Sequence, residues 1–366
     1  MLNQKFIKKL PTFFANKDIV FPSSVSLEQA SSEITAQYKA RLLRGNSFAD
    51  LTSGFGVDCF FIAKNFKSAF YVEKNEELCR CAENNFRILN SENIKIINAS
   101  AENFLVEMPP VDAIFLDPSR RNNSGARVAF LADCQPNVAE LLPLLKQKSA
   151  KILLKLAPML DISKALADLQ GTRVVHVISV ENECREILFE IGQEENPEIE
   201  IKTVNFAKNN VVQYFDFQRD KEREMEAIFA RQIEKYLYEP NASIMKAGGF
   251  KTVAQRFDIR KLDVNTHLYT SDNLIENFAG RIFAVQNTLE SSRQTYKMLK
   301  TNYRQANIAV RNYPSTVAEI RRKTGIKDGG ETYIFACTLK GKKMFLICKK
   351  KYTDNTDDTS LRARNE

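Results

Sequence analysis

The chain has 366 residues, 44% of them apolar, with 25 Phe and no Trp. That is enough apolar mass for two or three packed domains and too much for a disordered chain. The net charge of +8 is unevenly spread: residues 240–351 carry 21 Lys and Arg against 8 Asp and Glu, and residues 1–239 carry 30 against 33. Seven cysteines without metal-type pairing, no secretory leader and no apolar run of membrane-spanning length set aside zinc-ribbon, disulfide-scaffold and membrane classes. A reducing cytoplasm is the expected home, with no membrane and no metal. The charge asymmetry points to a polyanionic partner for the C-terminal part, against the plainer reading of a solubilising basic surface.

In chain order, residues 1–45 read as an N-terminal helical segment, with Ser23, Ser24 and Ser26 able to cap a helix from Leu27 to Leu43 and Gly45 as a stop. It either covers a sheet or contributes to the substrate side. From Phe48 short apolar runs alternate with amphipathic stretches. Strands are expected at 47–51, 69–73, 94–98, 111–117, 150–156, 173–179 and 185–191, and helices near 57–66, 75–90, 101–107, 130–147 and 161–169. Repeated β-α units imply an α/β fold with a parallel sheet covered on both faces. The short Val180–Cys184 loop fits a hairpin with one antiparallel strand.

The strand ends carry the polar residues. The first runs into Asp50-Leu-Thr52-Ser-Gly54-Phe-Gly56-Val-Asp58, a turn whose glycines permit positive φ and whose following helix offers unpaired N–H groups. Glu73 closes the second, 17 residues after Gly56, placed to accept from both hydroxyls of a ribose. Asn98-Ala-Ser100-Ala101-Glu102 follows the third, and Asp117-Pro-Ser119-Arg120-Arg121, with Asn122–Gly125 behind it, follows the fourth. Ligands of open α/β sheets bind at such carboxyl ends, which makes these four loops one candidate site. Taken singly, each is also an ordinary βα turn or a solvated strand-end carboxylate.

This ordered set resembles the motifs of class I S-adenosylmethionine-dependent methyltransferases over residues 46–195. The resemblance implies a Rossmann-like seven-stranded domain and S-adenosyl-L-methionine as cofactor. It implies cofactor contacts from Asp50, Thr52, Gly54, Gly56, Asp58, Glu73, Ser100, Ala101, Glu102 and Asp117. Asp50 and the glycines would face the methionine part, Glu73 the ribose, and Ser100 or Glu102 the adenine. The stretch Tyr238-Glu-Pro-Asn-Ala-Ser-Ile-Met-Lys246-Ala-Gly248-Gly is similar to the opening of the extra region in a bacterial methyltransferase group with small α+β ferredoxin-like and THUMP-like modules. These are expected at 239–285 and 286–352, after a charged connector at 196–238 and before a disordered tail at 353–366. THUMP domains are associated with RNA modification, so the resemblance implies a structured RNA partner such as tRNA or rRNA.

Asp117 is the candidate to hold or deprotonate a methyl acceptor, with Ser119 and Arg120 for base or phosphate. Ser119-Arg120 stands where adenine amino-methyltransferases carry an aromatic. Cys134 and Cys184 lack the setting of a carbon-5 nucleophile and read as buried small side chains. Asp117 with Lys155 and Glu186 is similar to the Lys/Asp/Lys/Glu set of ribose 2′-O-methyltransferases, with Lys39 a candidate first lysine. There a lysine beside a hydroxyl lowers its pKa. The alternative for Lys155 is a snorkelling strand-end residue. His176 reads as a core histidine. RNA contacts are expected from Tyr303, Arg304, Arg311, Tyr313, Arg321, Arg322, Lys323, Lys342 and Lys343, bases neutralising phosphates and tyrosines stacking on unpaired bases. The reading is an RNA methyltransferase. Its alternatives are a non-catalytic cofactor-binding RNA-binding or regulatory protein, or a methyltransferase acting on a protein or small molecule.

Overall fold

The computed structural model describes residues 4–22, 24–120, 131 and 134–351. Two compact units divide the chain. One is built from residues up to Ile178 with Arg185–Ile199, the other from Ser179–Cys184 and residues from Glu200 onward.

The first unit begins with four short helices, α1 (Gln4–Lys9), α2 (Pro11–Phe14), α3 (Ser24–Gln29) and α4 (Glu33–Leu42). The single helix expected from Leu27 to Leu43 is therefore broken at Ala30–Ser32, where a serine pair competes for backbone hydrogen bonds. The break turns Ser31 inward, where it is 8% exposed.

The sheet strands of this unit are β1 (Ser47–Asp50), β2 (Ser68–Glu73), β3 (Ile94–Asn98) and β4 (Ala113–Leu116), then, beyond the small pair β5 (Ser119–Arg120) and β6 (Cys134–Gln135), β7 (Ile152–Leu156), β8 (Thr172–Val180) and β9 (Glu183–Ile191). Their order is β8-β9-β7-β4-β1-β2-β3. β1 pairs in parallel with β2 and β4, β2 with β3 and β4 with β7, while β9 runs antiparallel to β7. The order reverses at β1/β4, so the loops after these two strands open a crevice between them. The turn from β8 to β9 uses Glu181 and Asn182 at φ 50° and 63°, the left-handed pair that a two-residue hairpin requires.

Helices α5 (Val57–Ala63), α6 (Glu76–Ile88), α7 (Ala101–Glu107), α8 (Val138–Lys148) and α9 (Ile162–Asp168) fill the crossovers. All seven residues of α5 are buried. α6 instead shows the one-sided pattern of a surface helix, its start fixed by Asn75 accepting from the Glu77 and Leu78 N–H groups. α8 starts later than expected from the sequence, because β6 occupies Cys134–Gln135.

The second unit corrects the expected connector. Residues 196–238 hold β10 (Glu200–Phe206) and β11 (Val212–Gln218), an antiparallel hairpin, and α10 (Arg219–Glu224) is only six residues long. Beyond it lie β12 (Tyr236–Pro240), α11 (Ala242–Ala247), α12 (Phe250–Arg256), β13 (Arg260–Asp263), β14 (Thr266–Ser271), β15 (Gly280–Glu290), α13 (Arg293–Asn302), β16 (Asn307–Arg311), α14 (Val317–Thr324), β17 (Thr332–Leu339) and β18 (Lys342–Lys351). A seven-stranded sheet runs β13-β14-β12-β15-β18-β17-β16. β15 crosses the 285/286 boundary expected between the two modules.

The near-continuous apolar runs of β17 and β18 follow from burial on both faces. Phe335, Cys337, Leu346 and Cys348 join a core with Leu237, Leu262 and Phe283, whereas their neighbours Ile334, Ala336, Phe345 and Ile347 join another under Leu299 and Ile320. α14 carries a Thr316/Glu319 capping box and stops at Gly325, φ 74°. The expected tail at 353–366, Arg121 and the Asn122–Gly125 loop lie outside the described residues, as does the Arg120 side chain.

Candidate active site

The crevice opens into a cavity of about 740 Å³, a volume typical of small-molecule sites, lined entirely by the first unit. Asp50, Thr52, Gly54, Gly56, Asp58, Glu73, Ser100, Ala101, Glu102, Asp117, Ser119 and Lys155 all line it, so the residues expected from the strand ends are brought together. Ser26, Ser31, Gln135, Leu160 and Arg185 also line it and were not foreseen.

The wall after β1 is tied down by its neighbours. Thr52 Oγ1 accepts from the Asp117 N–H at 2.6 Å, and Ser53 N–H donates to the Val72 carbonyl at 3.0 Å. The Glu73 carboxylate accepts from the N–H groups of Gly54 at 3.0 Å and Asn75 at 2.8 Å. Gly56 sits at φ 86°, and a Cβ there would lie 2.8 Å from Phe86 Cζ, so glycine is required twice over. Gly54, at φ 55°, would meet nothing within 4 Å. Ser100 caps α7 by accepting from the Asn103 N–H at 3.2 Å.

Asp50 is fully buried. Its Oδ1 accepts from the Thr52 N–H at 3.1 Å, but Oδ2 has no hydrogen-bond partner among the described residues. Burial pushes its carboxyl well above the usual range, with further lift from Asp58 and Asp117. A buried carboxylate with an orphaned oxygen, on a residue that lines the cavity, fits a cationic ligand group, such as the methionine end of S-adenosylmethionine.

On the other side, two lysines and three carboxylates surround the Ser31 hydroxyl. Lys39, from α4 and fully enclosed, contacts Asp58 Oδ1 at 2.8 Å, Glu186 Oε2 at 2.6 Å and Ser31 Oγ at 2.9 Å. Lys155, 12% exposed at the end of β7, contacts Asp117 Oδ2 at 2.5 Å and Ser31 Oγ at 2.9 Å, with Asp58 at 3.7 Å and Glu186 at 3.9 Å. Ser31 in turn donates to Asp58 Oδ2 at 2.6 Å. Desolvation alone would lower Lys155, but Asp117, Asp58 and Glu186 outweigh it and hold the ammonium above the usual lysine range. Burial alone would raise Asp58, yet Lys39 and Lys155 hold it low. Asp117 is raised by desolvation against the pull of Lys155, a shift limited by the 35% exposure of its side chain. Lys155 is therefore an ion-paired cation facing the cavity, not a snorkelling side chain.

α4 is fixed by a second polar clamp. Tyr38 Oη bonds His176 Nδ1 at 2.8 Å, and His176 Nε2 bonds Glu190 Oε1 at 2.8 Å. His176 is a satisfied core residue, 1% exposed. The N-terminal segment thus delivers Ser31 and Lys39 to the site.

In the second unit the expected RNA-binding residues divide. Arg304, Arg322, Lys323 and Lys342 are exposed. Tyr313 bonds Ser291 Oγ at 2.6 Å and packs on Phe345, and Tyr303 packs on the same core; both side chains are half-buried. Arg311 bonds the buried Glu239 at 2.5 Å alongside Arg281. Arg321 donates to Asp328 and to the Ile326 and Ala306 carbonyls, and Lys343 to Thr338 at 2.7 Å. Among the described residues no His/Cys/Asp/Glu group could hold a metal, and no helix is long and apolar enough to cross a membrane.

A ferredoxin-like domain family matches residues 236–278, and a THUMP domain-like family matches residues 280–350. No curated protein sequence matches the chain. The crystal structure of a "putative methyltransferase" from Porphyromonas gingivalis W83 is 32% identical over 95% of this chain and 88% of that one, with a TM-score of 0.88. More distant matches are TrmK of M. capricolum in complex with S-adenosyl-homocysteine (14% identity, 45% and 70% coverage, TM-score 0.35) and an rRNA methylase from Streptococcus thermophilus (14%, 44% and 95%, TM-score 0.32). Full-length likeness to the P. gingivalis protein places the chain in one family with that "putative methyltransferase", and the C-terminal part of the chain carries ferredoxin-like and THUMP-like domains.

Proposed function

We propose that the protein transfers a methyl group from S-adenosylmethionine to RNA, with the exposed bases of its C-terminal unit capturing the polynucleotide. The observation that carries this reading is the juxtaposition, in one cavity, of the unpartnered Asp50 Oδ2 with the Lys155–Asp117 pair. The first suits the donor and the second an acceptor.

In this reading Asp50 holds the cationic methionine end, and Gly54 leaves room for the donor to lie against bare backbone. Glu73 keeps lone pairs for ribose hydroxyls beyond its two backbone N–H partners. Ser100, Ala101 and Glu102 border the adenine. The donor supplies an electrophilic methyl on a sulfonium. The chain orients the acceptor in line with it, with Asp117 and Lys155 at the attacking atom. Ser119, whose hydroxyl donates to the Gln135 carbonyl at 3.2 Å, borders the acceptor side.

The test is calorimetric titration with S-adenosylmethionine, followed by labelled-methyl transfer to total RNA. Binding is expected, weakened at least tenfold by Glu73→Gln, together with label in RNA. No cofactor binding sinks the reading. Binding with transfer only to protein or small molecules overturns the choice of RNA, and binding without any transfer points to a non-catalytic cofactor-binding protein.

A further inference from the structure

The turn between β1 and α5 is gripped from its buried side by Tyr71. This residue of β2 is fully buried and does not line the cavity, and its hydroxyl donates to the Gly54 carbonyl at 2.5 Å. Its ring stands edge-on to Phe86 with centroids 5.6 Å apart, and it would lie 3.2 Å from a Cβ at Gly56. Burial holds the phenol above the usual tyrosine range, so the hydroxyl keeps its proton and stays a donor. A buried phenol needs an acceptor, and this one takes the middle carbonyl of a turn that the Gly56 N–H closes on the Ser53 carbonyl at 2.8 Å.

That grip decides where the next N–H points. In a trans peptide the carbonyl and the following N–H leave on opposite sides. With the Gly54 carbonyl turned toward Tyr71, the Phe55 N–H is turned away from it, toward the cavity that Gly54, Phe55 and Gly56 line. The Gly54 N–H is spent on Glu73 at 3.0 Å, whereas the Phe55 N–H has no hydrogen-bond partner among the described residues. The Phe55 ring is anchored elsewhere, on Phe13 at 5.3 Å and Phe21 at 5.9 Å, which steadies the turn. The cavity wall carries Asp50, Glu73 and Asp117, so a carboxylate entering there is repelled unless an N–H donor meets it.

We propose that Tyr71 is a positioning residue that makes the site select a donor carrying a carboxylate. By fixing the Gly54–Phe55 peptide it presents the Phe55 N–H to the carboxylate at the methionine end of S-adenosylmethionine, beside the cationic group that Asp50 takes. The inference rests on the donor reading above and is independent of the acceptor. With the peptide released, the acidic wall no longer favours the carboxylated ligand over one of the same shape without that group.

Decarboxylated S-adenosylmethionine keeps the sulfonium and the ammonium and lacks only the carboxylate, which makes it the probe. In calorimetric titration the parent is expected to bind S-adenosylmethionine about tenfold or more tighter than the decarboxylated form. In Tyr71→Phe, which removes only the hydroxyl, the two ligands are expected to bind within about threefold of each other, the decarboxylated form keeping its parent affinity. Equal weakening of both ligands would reduce Tyr71 to a structural support and overturn the inference. Discrimination that survives in the variant overturns it as well, assigning the carboxylate to Lys74 or Arg185, the other cations of that wall beside Lys155. A parent that does not discriminate refutes the inference whether or not the variant folds, and leaves the donor reading standing. Binding of neither ligand removes that reading and this inference together.

Discussion

Replacing Asp50 by Asn separates the two consequences of its burial. The Asn side-chain oxygen can still accept from the Thr52 N–H, which Asp50 does at 3.1 Å, so the turn after β1 keeps its shape. What is lost is the negative charge on the oxygen that has no partner in the protein. A hydrogen bond to a charged group is worth about 1.5–3 kcal/mol, so S-adenosylmethionine should bind roughly 10- to 150-fold more weakly. Stability should move the other way. The Asp50 carboxyl is raised, chiefly by desolvation, so the folded state holds its proton to higher pH than the unfolded chain does. Stability from this residue is present below the unfolded carboxylate pKa and is lost as pH rises toward the raised folded value. The Asn variant should be at least as stable as the parent at neutral pH. Cofactor affinity of the parent should strengthen as pH rises, because a cationic ligand favours ionised Asp50, and this dependence should vanish in the variant. Calorimetric titration between pH 6 and 9, with thermal unfolding in the same buffers, measures both. Parent-like affinity in Asp50→Asn, or affinity lost together with stability, would refute the reasoning.

Gly56→Ala should cost about 3 kcal/mol in chemical denaturation, because it adds left-handed strain to a 2.8 Å approach to Phe86; Gly54→Ala, which meets open space, should cost about 1 kcal/mol and act mainly on cofactor affinity. Arg322→Ala and Lys342→Ala should each lower the salt slope of RNA binding by somewhat under one, with unchanged melting, whereas Arg311→Ala should destabilise by about 1–3 kcal/mol by stripping a partner from buried Glu239. Filter binding across salt concentrations and thermal melts distinguish these, and a melt unchanged by Arg311→Ala would contradict its structural role. His267, stacked on Phe250 at 3.6 Å, is held down to about 4 by burial and by Lys261 and Arg311. The unfolded chain then binds more protons than the folded one between about pH 6.5 and 4, so stability should fall on acidification through that window. His267→Phe should flatten this part of the pH profile.

The half of the site on the strand ends could be read because its signals are local. Asp50, Glu73 and Asp117 each close a short apolar run, and Ser100 follows the end of β3 by two residues, so the strand ends mark their positions. The other half is built by long-range packing. Ser31 meets Lys155 across 124 positions and Lys39 meets Glu186 across 147, and no spacing rule links them. A usable signal existed at Ser31: two serines inside a stretch read as one helix mark a break, and a break beside a site exposes side chains. The β10–β11 hairpin lies in a stretch whose Lys221-Glu-Arg-Glu run has the composition of a charged connector, while just before it buried Phe215 and Phe217 alternate with less buried neighbours. Tyr313 stands among basic residues in the sequence, and only the fold shows its hydroxyl bonded to Ser291.

The balance of charge in the cavity bears on how donor and acceptor are handled. Lys39 and Lys155 face Asp58, Asp117 and Glu186, and Lys74 and Arg185 on the cavity wall are matched in number by Glu73 and Glu102, which leaves one carboxylate more than the cations neutralise, while Asp50 adds a further acid when ionised. Such a site repels phosphate, so in the function proposed here the attraction of RNA must come from the exposed bases of the C-terminal unit. The same imbalance suits the donor. Before transfer it is a sulfonium cation, and afterwards a neutral thioether, so a slightly acidic enclosure favours the reactant over the product and helps the spent cofactor leave. A more basic cavity would hold RNA better and the donor worse. Placing the net +13 of residues 240–351 on a separate unit lets each requirement be met without compromising the other.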